Sequence, residues 1–294
     1  MPPCLNIRKN RFFCWKHNKC QGWQGIVFFL EKAHIEENVD SNPYFAFVLE
    51  KIACYFPEKK NIRVLDYGCG GGDLVRFLMQ NGYDAYGVDV DTFFDDFYSY
   101  TDRELLSGGR ISVIDIDGKG SLSGQTFDFI ISNTVLEHVV DKKRHLSAVA
   151  RYMSGSSVAL LLYPLLESIR EGHIRQFFIH WLPRGRLRVA AAHLQKFLGI
   201  PRDNGGTADI HEFVKEKVGV VDSSCFYETN RAINRYLGEC FDFSHIEGEY
   251  FVFRAKQKRK LWMVPFLKLL SNTGLPSLVF RIYTGAVVVM RKKI

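Results

Sequence analysis

The stretch that most constrains this chain is VLDYGCGGGDLVRFL, Val64 to Leu78. An apolar run ends in an acid, four glycines fall within five residues, and an apolar segment of helical spacing follows. Glycine weakens both strands and helices, so a cluster of this density belongs to a turn where the backbone takes positive φ or meets something closely. A buried strand entering a tight turn and leaving as a helix is the opening unit of an α/β sheet.

The rest of the chain repeats that unit. IRVLDYG, DAYGVDVD, RISVIDID, FDFIISN and SSVALLLYP read as five short apolar strands, and GDLVRFLMQNG and DKKRHLSAVARYMSG read as helices between them, the second ended by Gly155. NPYFAFVLEKIACYF has a proline near its start and helical apolar spacing. Strands alternating with helices imply right-handed crossovers and a parallel, doubly wound sheet. Continuous apolar runs are expected when helices cover both faces.

In such sheets ligands bind beyond the carboxyl ends of the strands, at the first strand–helix turn. Gly68-x-Gly70-x-Gly72 departs from the dinucleotide pattern, whose third glycine falls on Asp73. An acid at the helix start repels a pyrophosphate. Asp66 adds a second carboxylate, and two acids suit a ligand bearing a sulfonium and an amino group. Asp89, 21 residues after Gly68 at the end of the second strand, can accept from both ribose hydroxyls. Taken alone, Asp89 is equally a strand-end turn residue.

VLDYGCGGG, AYGVDVD and FDFIISNTVLEHVVD closely resemble the class I S-adenosylmethionine-dependent methyltransferases, in particular their type 11/type 12 branch. The resemblance covers Asn42 to Pro164. It implies a doubly wound, seven-stranded Rossmann-like sheet whose last strand is antiparallel. It also implies that Asp66, Gly68, Gly70 and Gly72 cradle the methionine end of the cofactor and that Asp89 binds its ribose. Asp115 or Asp117 would lie near the adenine, and Asn133 with Thr134 would flank the reacting methyl group. SNTV stands where adenine-N6 and glutamine methyltransferases carry an N-P-P-Y/F sequence, which argues against that subclass. TVLEHVVD matches two positions, Glu137 and His138, of the E-x-x-E-H-x-x-H metal site of small-RNA 2′-O-methyltransferases; Thr134 and Asp141 stand at the other two, so no metal is expected.

Methyl transfer to a hydroxyl is helped by a base, and histidine is matched to neutral pH. His138 follows the fourth strand. His173 lies in ESIREGHIRQFF, which resembles the G-H-x-R-x-F loop of many type 11 relatives, with Arg175 positioned for an anionic substrate group. His173 and His138 are the candidate catalytic residues.

Charge bears on partners. The net charge is +7, but residues 1–20 carry five Lys/Arg and no acid, and residues 251–294 carry ten and no acid. The middle of the chain holds 24 basic against 32 acidic residues, a net −8. An acidic body argues against nucleic acid, whose binding is dominated by phosphate neutralisation. Seven irregularly spaced cysteines behind an uncharged Met-Pro-Pro start suggest reduced thiols in a cytoplasm. Cys14, His17 and Cys20 lack the C-x-x-C pair of a zinc site. No apolar run reaches the length of a membrane span.

The expected organisation is a basic extension over 1–41, a cofactor-binding core over 42–165, and substrate-side helices with the final strands over 166–294. RGRLRVAAAHLQKFLGI gathers Leu187, Ala190, Ala191, Leu194, Phe197 and Leu198 on one helical face. CFDFSHIEGEYFVFRAK reads as strand-rich, and AVVVMRKK as the closing strand. Between them a helical insert, basic in front and apolar behind, carries Trp262 and Phe266. The expected acceptor is a small molecule or a glycan or lipid-linked intermediate, with RNA or protein methylation, or a non-catalytic cofactor-binding scaffold, as the alternatives; the insert reads either as a helical hairpin packed on the substrate pocket or as a peripheral contact with an anionic membrane at its inner face.

Overall fold

The computed structural model describes residues 43–90, 101–202, 209–258, 260, 262–270 and 273–293. The chain divides into two compact units, Met1–Glu58 and Lys59–Ile294. In the first, helix α1 (Pro43–Tyr55) has Pro43 at its start and buries Tyr44, Phe47, Val48 and Ile52, the spacing of one helical face. The basic extension and the Cys14, His17, Cys20 triplet lie outside the described residues.

The second unit is built on one seven-stranded sheet. Its strands are β1 (Arg63–Tyr67), β2 (Asp84–Asp89), β3 (Ile111–Val113), β4 (Phe127–Asn133), β5 (Met153–Tyr163), β6 (Phe241–His245) and β7 (Ala286–Lys292). Their order is β3-β2-β1-β4-β5-β7-β6. The first five are parallel. β7 runs antiparallel to β5 and β6, as the resemblance implies. Val64, Leu65, Val88, Phe129, Ile130, Ile131, Ala159, Leu160 and Val287–Val289 are fully buried, which explains the unbroken apolar runs of the central strands.

The chain winds outward from β1 through β2 to β3, then returns to place β4 on the other side of β1. This reversal opens a crevice at the carboxyl ends of β1 and β4. Asp66 is level with Gly87 on one neighbour and Ile131 on the other, so the ends of β1, β2 and β4 share one edge. Helix α2 (Asp73–Gln80) leaves the glycine turn, α3 (Arg103–Ser107) leads into β3, and α4 (Lys142–Arg151) joins β4 to β5.

Three local expectations are corrected. Helix α4 ends at Arg151, before Gly155, which lies inside β5. Tyr152 is buried and its hydroxyl donates to Gly118 O at 2.6 Å, while Ser157 Oγ donates to Phe127 O at 2.5 Å; both draw the chain into the sheet early. The strand-rich stretch is a strand only to His245. Glu247–Gln257 is helix α8, with acids in its first turn and Arg254 and Lys256 in its last, the polarity that suits the helix dipole.

The third correction concerns helix α5 (Arg186–Phe197). Its apolar residues face solvent: Leu187 is 67% exposed, Leu194 59% and Phe197 79%. The buried positions are Arg188, Ala192 and Lys196, four residues apart. Arg188 pairs with Asp222 of helix α6 (Ile210–Ser224), and Lys196 Nζ donates to Pro201 O at 2.8 Å over the Phe213 ring. Long side chains with satisfied heads thus take the inner face.

The remaining helices are α7 (Asn230–Cys240), α9 (Met263–Leu270) and α10 (Leu275–Tyr283). The fully buried Glu247 anchors α10: Arg281 Nε and Nη2 donate to its carboxylate at 3.1 and 3.2 Å, and His245 Nδ1 lies 2.7 Å away.

Candidate active site

The glycine turn is stitched to the end of β2. The amides of Gly68 and Cys69 donate to Val88 O at 2.8 and 3.1 Å. Gly70 N donates to Asp89 Oδ2 at 2.7 Å, and Val90 N to Asp89 Oδ1 at 2.7 Å. Gly68 has φ +89° and Gly72, the residue before α2, has φ +92°. Both are left-handed conformations open to glycine. A Cβ on Gly68 would also collide with Val135 Cγ2, in the segment that crosses from β4.

Two acids line this turn. Asp66 is 4% exposed, and burial followed by repulsion from Asp89 raises it well above the ordinary carboxylate range. Burial raises Asp89 too, and the amides of Gly70 and Val90 temper the shift. A close pair of desolvated carboxyls disfavours phosphates and is relieved by a positively charged ligand. That is the character of S-adenosylmethionine, and a backbone bare of side chains beside the acids gives its methionine end room. The residues present therefore fit this cofactor.

Further along the same edge, Asp115 Oδ1 accepts from Asp117 N at 2.9 Å and Lys119 N at 2.8 Å, closing an exposed turn after β3. Asp117 is committed to Arg144 Nε at 2.6 Å, and that bond holds it below the ordinary carboxylate range. Asn133 is the last residue of β4. Thr134 has φ +56°, and its hydroxyl donates to Asn133 O at 2.7 Å, turning the chain over the glycine loop.

Three segments then converge: the 3₁₀ turn Leu136–His138 after β4, the loop after β5, and Cys225–Glu228 between α6 and α7. The buried Lys142 ammonium donates to Val139 O at 2.8 Å and Phe226 O at 2.6 Å, and Phe226 N donates to Glu137 O at 2.7 Å. Leu166 N donates to Glu228 O at 2.9 Å. This lacing brings His138 and His173 together, with 3.3 Å between their Nε2 atoms.

Each ring is held from behind. His138 Nδ1 lies 2.8 Å from Ser224 O, so it donates there. His173 Nδ1 lies 2.9 Å from Glu171 Oε1 and 3.2 Å from Tyr227 Oη, and Cys225 Sγ is 3.7 Å from the same nitrogen. The Tyr227 hydroxyl also donates to Glu171 Oε1. Burial alone would lower His173; the Cys225 and Glu171 bonds reverse that and raise it to about 10. Burial would raise Glu171, and its bonds from His173 and Tyr227 outweigh that and hold it at about 2. Burial lowers His138. Burial also lifts Glu137 to about 7.

An apolar cavity of about 770 Å³ opens beside this cluster, lined in part by Leu165, Leu166, Phe178, Trp181, Leu278 and Ile282. His180 links the two, with Nε2 3.2 Å from Leu166 O and its ring centroid 5.1 Å from that of Tyr227. Arg175, two residues after His173, is half-buried with φ +57°.

The expected site residues thus gather along one edge of the sheet, Asp66 through Asn133 at strand ends and the histidines beside them. Sequence reasoning did not find Glu171, Cys225 and Tyr227. Glu171 and His173 are close in sequence, but His173 and Cys225 are 52 residues apart and meet through tertiary lacing that no local pattern encodes.

A family profile described as methyltransferase domain matches residues 42–198. Curated relatives include the ubiquinone biosynthesis O-methyltransferases of Brucella anthropi, 27% identical over 157 residues, and Rickettsia canadensis, 19% identical over 143 residues. The matches cover 48% and 47% of this chain and 60% and 59% of those proteins. Among solved structures, the PH0226 protein of Pyrococcus horikoshii overlaps at TM-score 0.44 with 13% identity, covering 90% of this chain and 98% of that one. PKMT2 of Rickettsia typhi in complex with AdoHcy overlaps at TM-score 0.43 with 14% identity, covering 79% and 49%. With the profile spanning more than half of the sequence and the seven-stranded sheet ordered as described, the chain belongs to the methyltransferase-domain family, in its S-adenosylmethionine-dependent class I form.

Proposed function

We propose that this chain transfers the methyl group of S-adenosylmethionine to a hydroxyl oxygen of a small, largely apolar acceptor. The observation that carries this reading is the placing of the His138–His173 pair just beyond the strand ends that carry the Asp66–Asp89 glycine cradle, with the apolar cavity joined to the histidine cluster through Tyr227, His180 and Leu166. When bound, the cofactor supplies an electrophilic methyl carbon on a sulfonium. Asp66 and the Gly68–Gly72 backbone would hold its methionine end, Asp89 its ribose, and Asp115 its adenine, Asp117 being engaged by Arg144. Asn133 and Thr134 would border the methyl position.

His138 and His173 would engage the acceptor hydroxyl: His138, lowered by burial, would accept its proton, and His173, held protonated by its Cys225 and Glu171 bonds, would orient it. Glu171 and Ser224 O fix both rings from behind, so their distal nitrogens are oriented before an acceptor arrives. Arg175 would bind an anionic group on the acceptor. The names of the curated relatives support oxygen as the methyl acceptor.

A membrane-surface acceptor is the finer form of this reading. No helix among the described residues is long and apolar enough to cross a membrane. Yet Trp262 is 78% exposed, Phe266 61% and Leu269 75%, with Lys258 and Lys260 exposed just ahead of them. Leu278 of α10 is both half-exposed and part of the cavity wall. Exposed apolar side chains behind basic ones match an interfacial contact on anionic lipid, with the cavity opening beside it.

The test is transfer of labelled methyl from S-adenosylmethionine into extract fractions sorted as lipid, small molecule, protein and RNA. Label is expected in the lipid or small-molecule pool as an alkali-stable ether. His138→Ala and His173→Ala should each lower turnover roughly 10²–10⁴-fold with cofactor affinity little changed. Label confined to protein or RNA would replace this reading with macromolecular methylation.

A further inference from the structure

We propose that His138, His173 and Cys225 form a binding site for a divalent transition-metal ion of zinc type, with one coordination position left for the acceptor oxygen. Metal binding itself does not depend on the function proposed above; the role of the fourth position does.

The two imidazoles meet through their Nε2 atoms. Ser224 O has no proton to give, so His138 must donate through Nδ1, and its Nε2 carries a lone pair. His173 donates through Nδ1 to the Glu171 carboxylate, and its Nε2 also points inward. The two Nε2 atoms face each other at 3.3 Å. Two lone pairs repel at that distance, so a positive charge belongs between them, either one proton or one cation. Metal-bound histidines characteristically give their other N–H to a carboxylate or a backbone carbonyl, and this pair uses one of each. Zinc–nitrogen bonds of about 2.0–2.1 Å at tetrahedral angles put two ligand nitrogens about 3.3–3.4 Å apart. The observed spacing is the same.

Cys225 supplies the third ligand. One ligand atom from each of the three residues falls within 4.8 Å of the others, with Cys225 Sγ 3.7 Å from the His173 ring at Nδ1. A thiolate with two imidazoles selects zinc, cobalt or copper over magnesium or calcium. Three protein ligands with an open side are the pattern of a catalytic metal. The side chain of His173 is 27% exposed, so the open side can be reached. A separate observation agrees. Glu137 is 2% exposed, its Oε2 has no hydrogen-bond partner among the described residues, and it lies within electrostatic reach of His173. A cation on the histidines would add to the positive charge of Lys142 that already acts on this carboxyl.

This ligand set differs from the Glu-Glu-His-His pattern that the sequence half matches, since only His138 is common to both. An acceptor hydroxyl on the fourth position would be acidified by the ion and would give its proton to solvent water at the open side as its oxygen takes the methyl group, the histidines then serving as ligands in place of a base.

The full chain, purified without chelators, is assayed for zinc by elemental analysis and then loaded with cobalt(II) after stripping. The expected result is one equivalent of tightly held metal, tetrahedral cobalt d–d bands and a thiolate charge-transfer band. Cys225→Ser should remove the charge-transfer band, His173→Gln should remove the tetrahedral bands, and Glu171→Gln should weaken zinc affinity about 10–100-fold. His211→Gln, outside the cluster, should change none of these, and circular dichroism checks that each variant is folded. Only octahedral cobalt, or spectra unchanged in both Cys225→Ser and His173→Gln, would overturn the proposal and leave a shared proton between the rings. None of these readouts needs cofactor or acceptor, so failure here is distinct from failure to methylate.

Discussion

The amide of Gly70 donates to Asp89 Oδ2 at 2.7 Å, tying the glycine turn after β1 to the last residue of β2. Asp89 therefore shapes the loop, in addition to the ribose-binding role proposed for it. Asp89→Ala should weaken S-adenosylmethionine binding by about 1–3 kcal/mol, from the lost charged acceptor and the loosened turn. Gly68→Ala should also cost affinity, because its Cβ meets Val135 and the φ is left-handed. Calorimetric titration of both variants checks this. Wild-type affinity in folded Asp89→Ala would make that residue a turn former only.

Asp66 gives a pH prediction. Its carboxyl is raised well above the ordinary range by burial and then by Asp89, and a cationic ligand favours its ionised form. Lowering pH protonates Asp66 and removes that attraction. Cofactor affinity should therefore begin to decline, as pH falls, above the range in which an ordinary carboxylate titrates, where the ligand's own amine is already charged. In Asp66→Asn the decline should be much shallower. An equally steep decline in the variant would assign the effect elsewhere.

The cradle was legible because its signals are local. Glycine spacing, an acid before the turn and another at the next strand end all lie within 24 residues, from Asp66 to Asp89. The sheet was legible for the same reason, each strand being a short apolar run between turn residues. The histidine cluster was only half legible. His138 and His173 stood out by their neighbours, but their meeting depends on Lys142 and Glu137 binding the Phe226 backbone across the fold. The periodicity of helix α5 identified its apolar face correctly but could not say what covers it. Here Arg188 and Lys196 found buried partners and turned Leu194 and Phe197 outward.

His145 gives a stability prediction. It is buried beside the Tyr67 ring, and burial lowers it from 6.5 to about 4. The unfolded chain takes up a proton below about pH 6.5, whereas the folded chain resists until about 4. Its contribution is therefore present above 6.5 and is lost as pH falls to 4, about 3 kcal/mol over the whole window. His145→Phe should flatten this part of the acid dependence. Urea unfolding at pH 7 and 4.5 compares the two, and equal losses in both proteins would remove His145 from the account.

For the membrane reading, each basic residue near an anionic surface adds about 1 kcal/mol. The protein should co-sediment with phosphatidylserine-containing vesicles at low salt and be released at high salt. Changing Lys256, Lys258 and Lys260 to Ser should weaken the association, and so should Trp262→Ser with Phe266→Ser, since both the charged and the apolar parts contribute. Wild-type protein that stays in the supernatant at low salt would assign the exposed α9 residues another partner.

The central claim is that the glycine edge holds S-adenosylmethionine rather than a dinucleotide. Calorimetric titration of the wild-type protein with S-adenosylmethionine, S-adenosylhomocysteine and NAD tests it most directly. The account predicts one saturable site for each of the first two ligands and none for NAD. Binding of NAD with no response to S-adenosylmethionine or S-adenosylhomocysteine would contradict it.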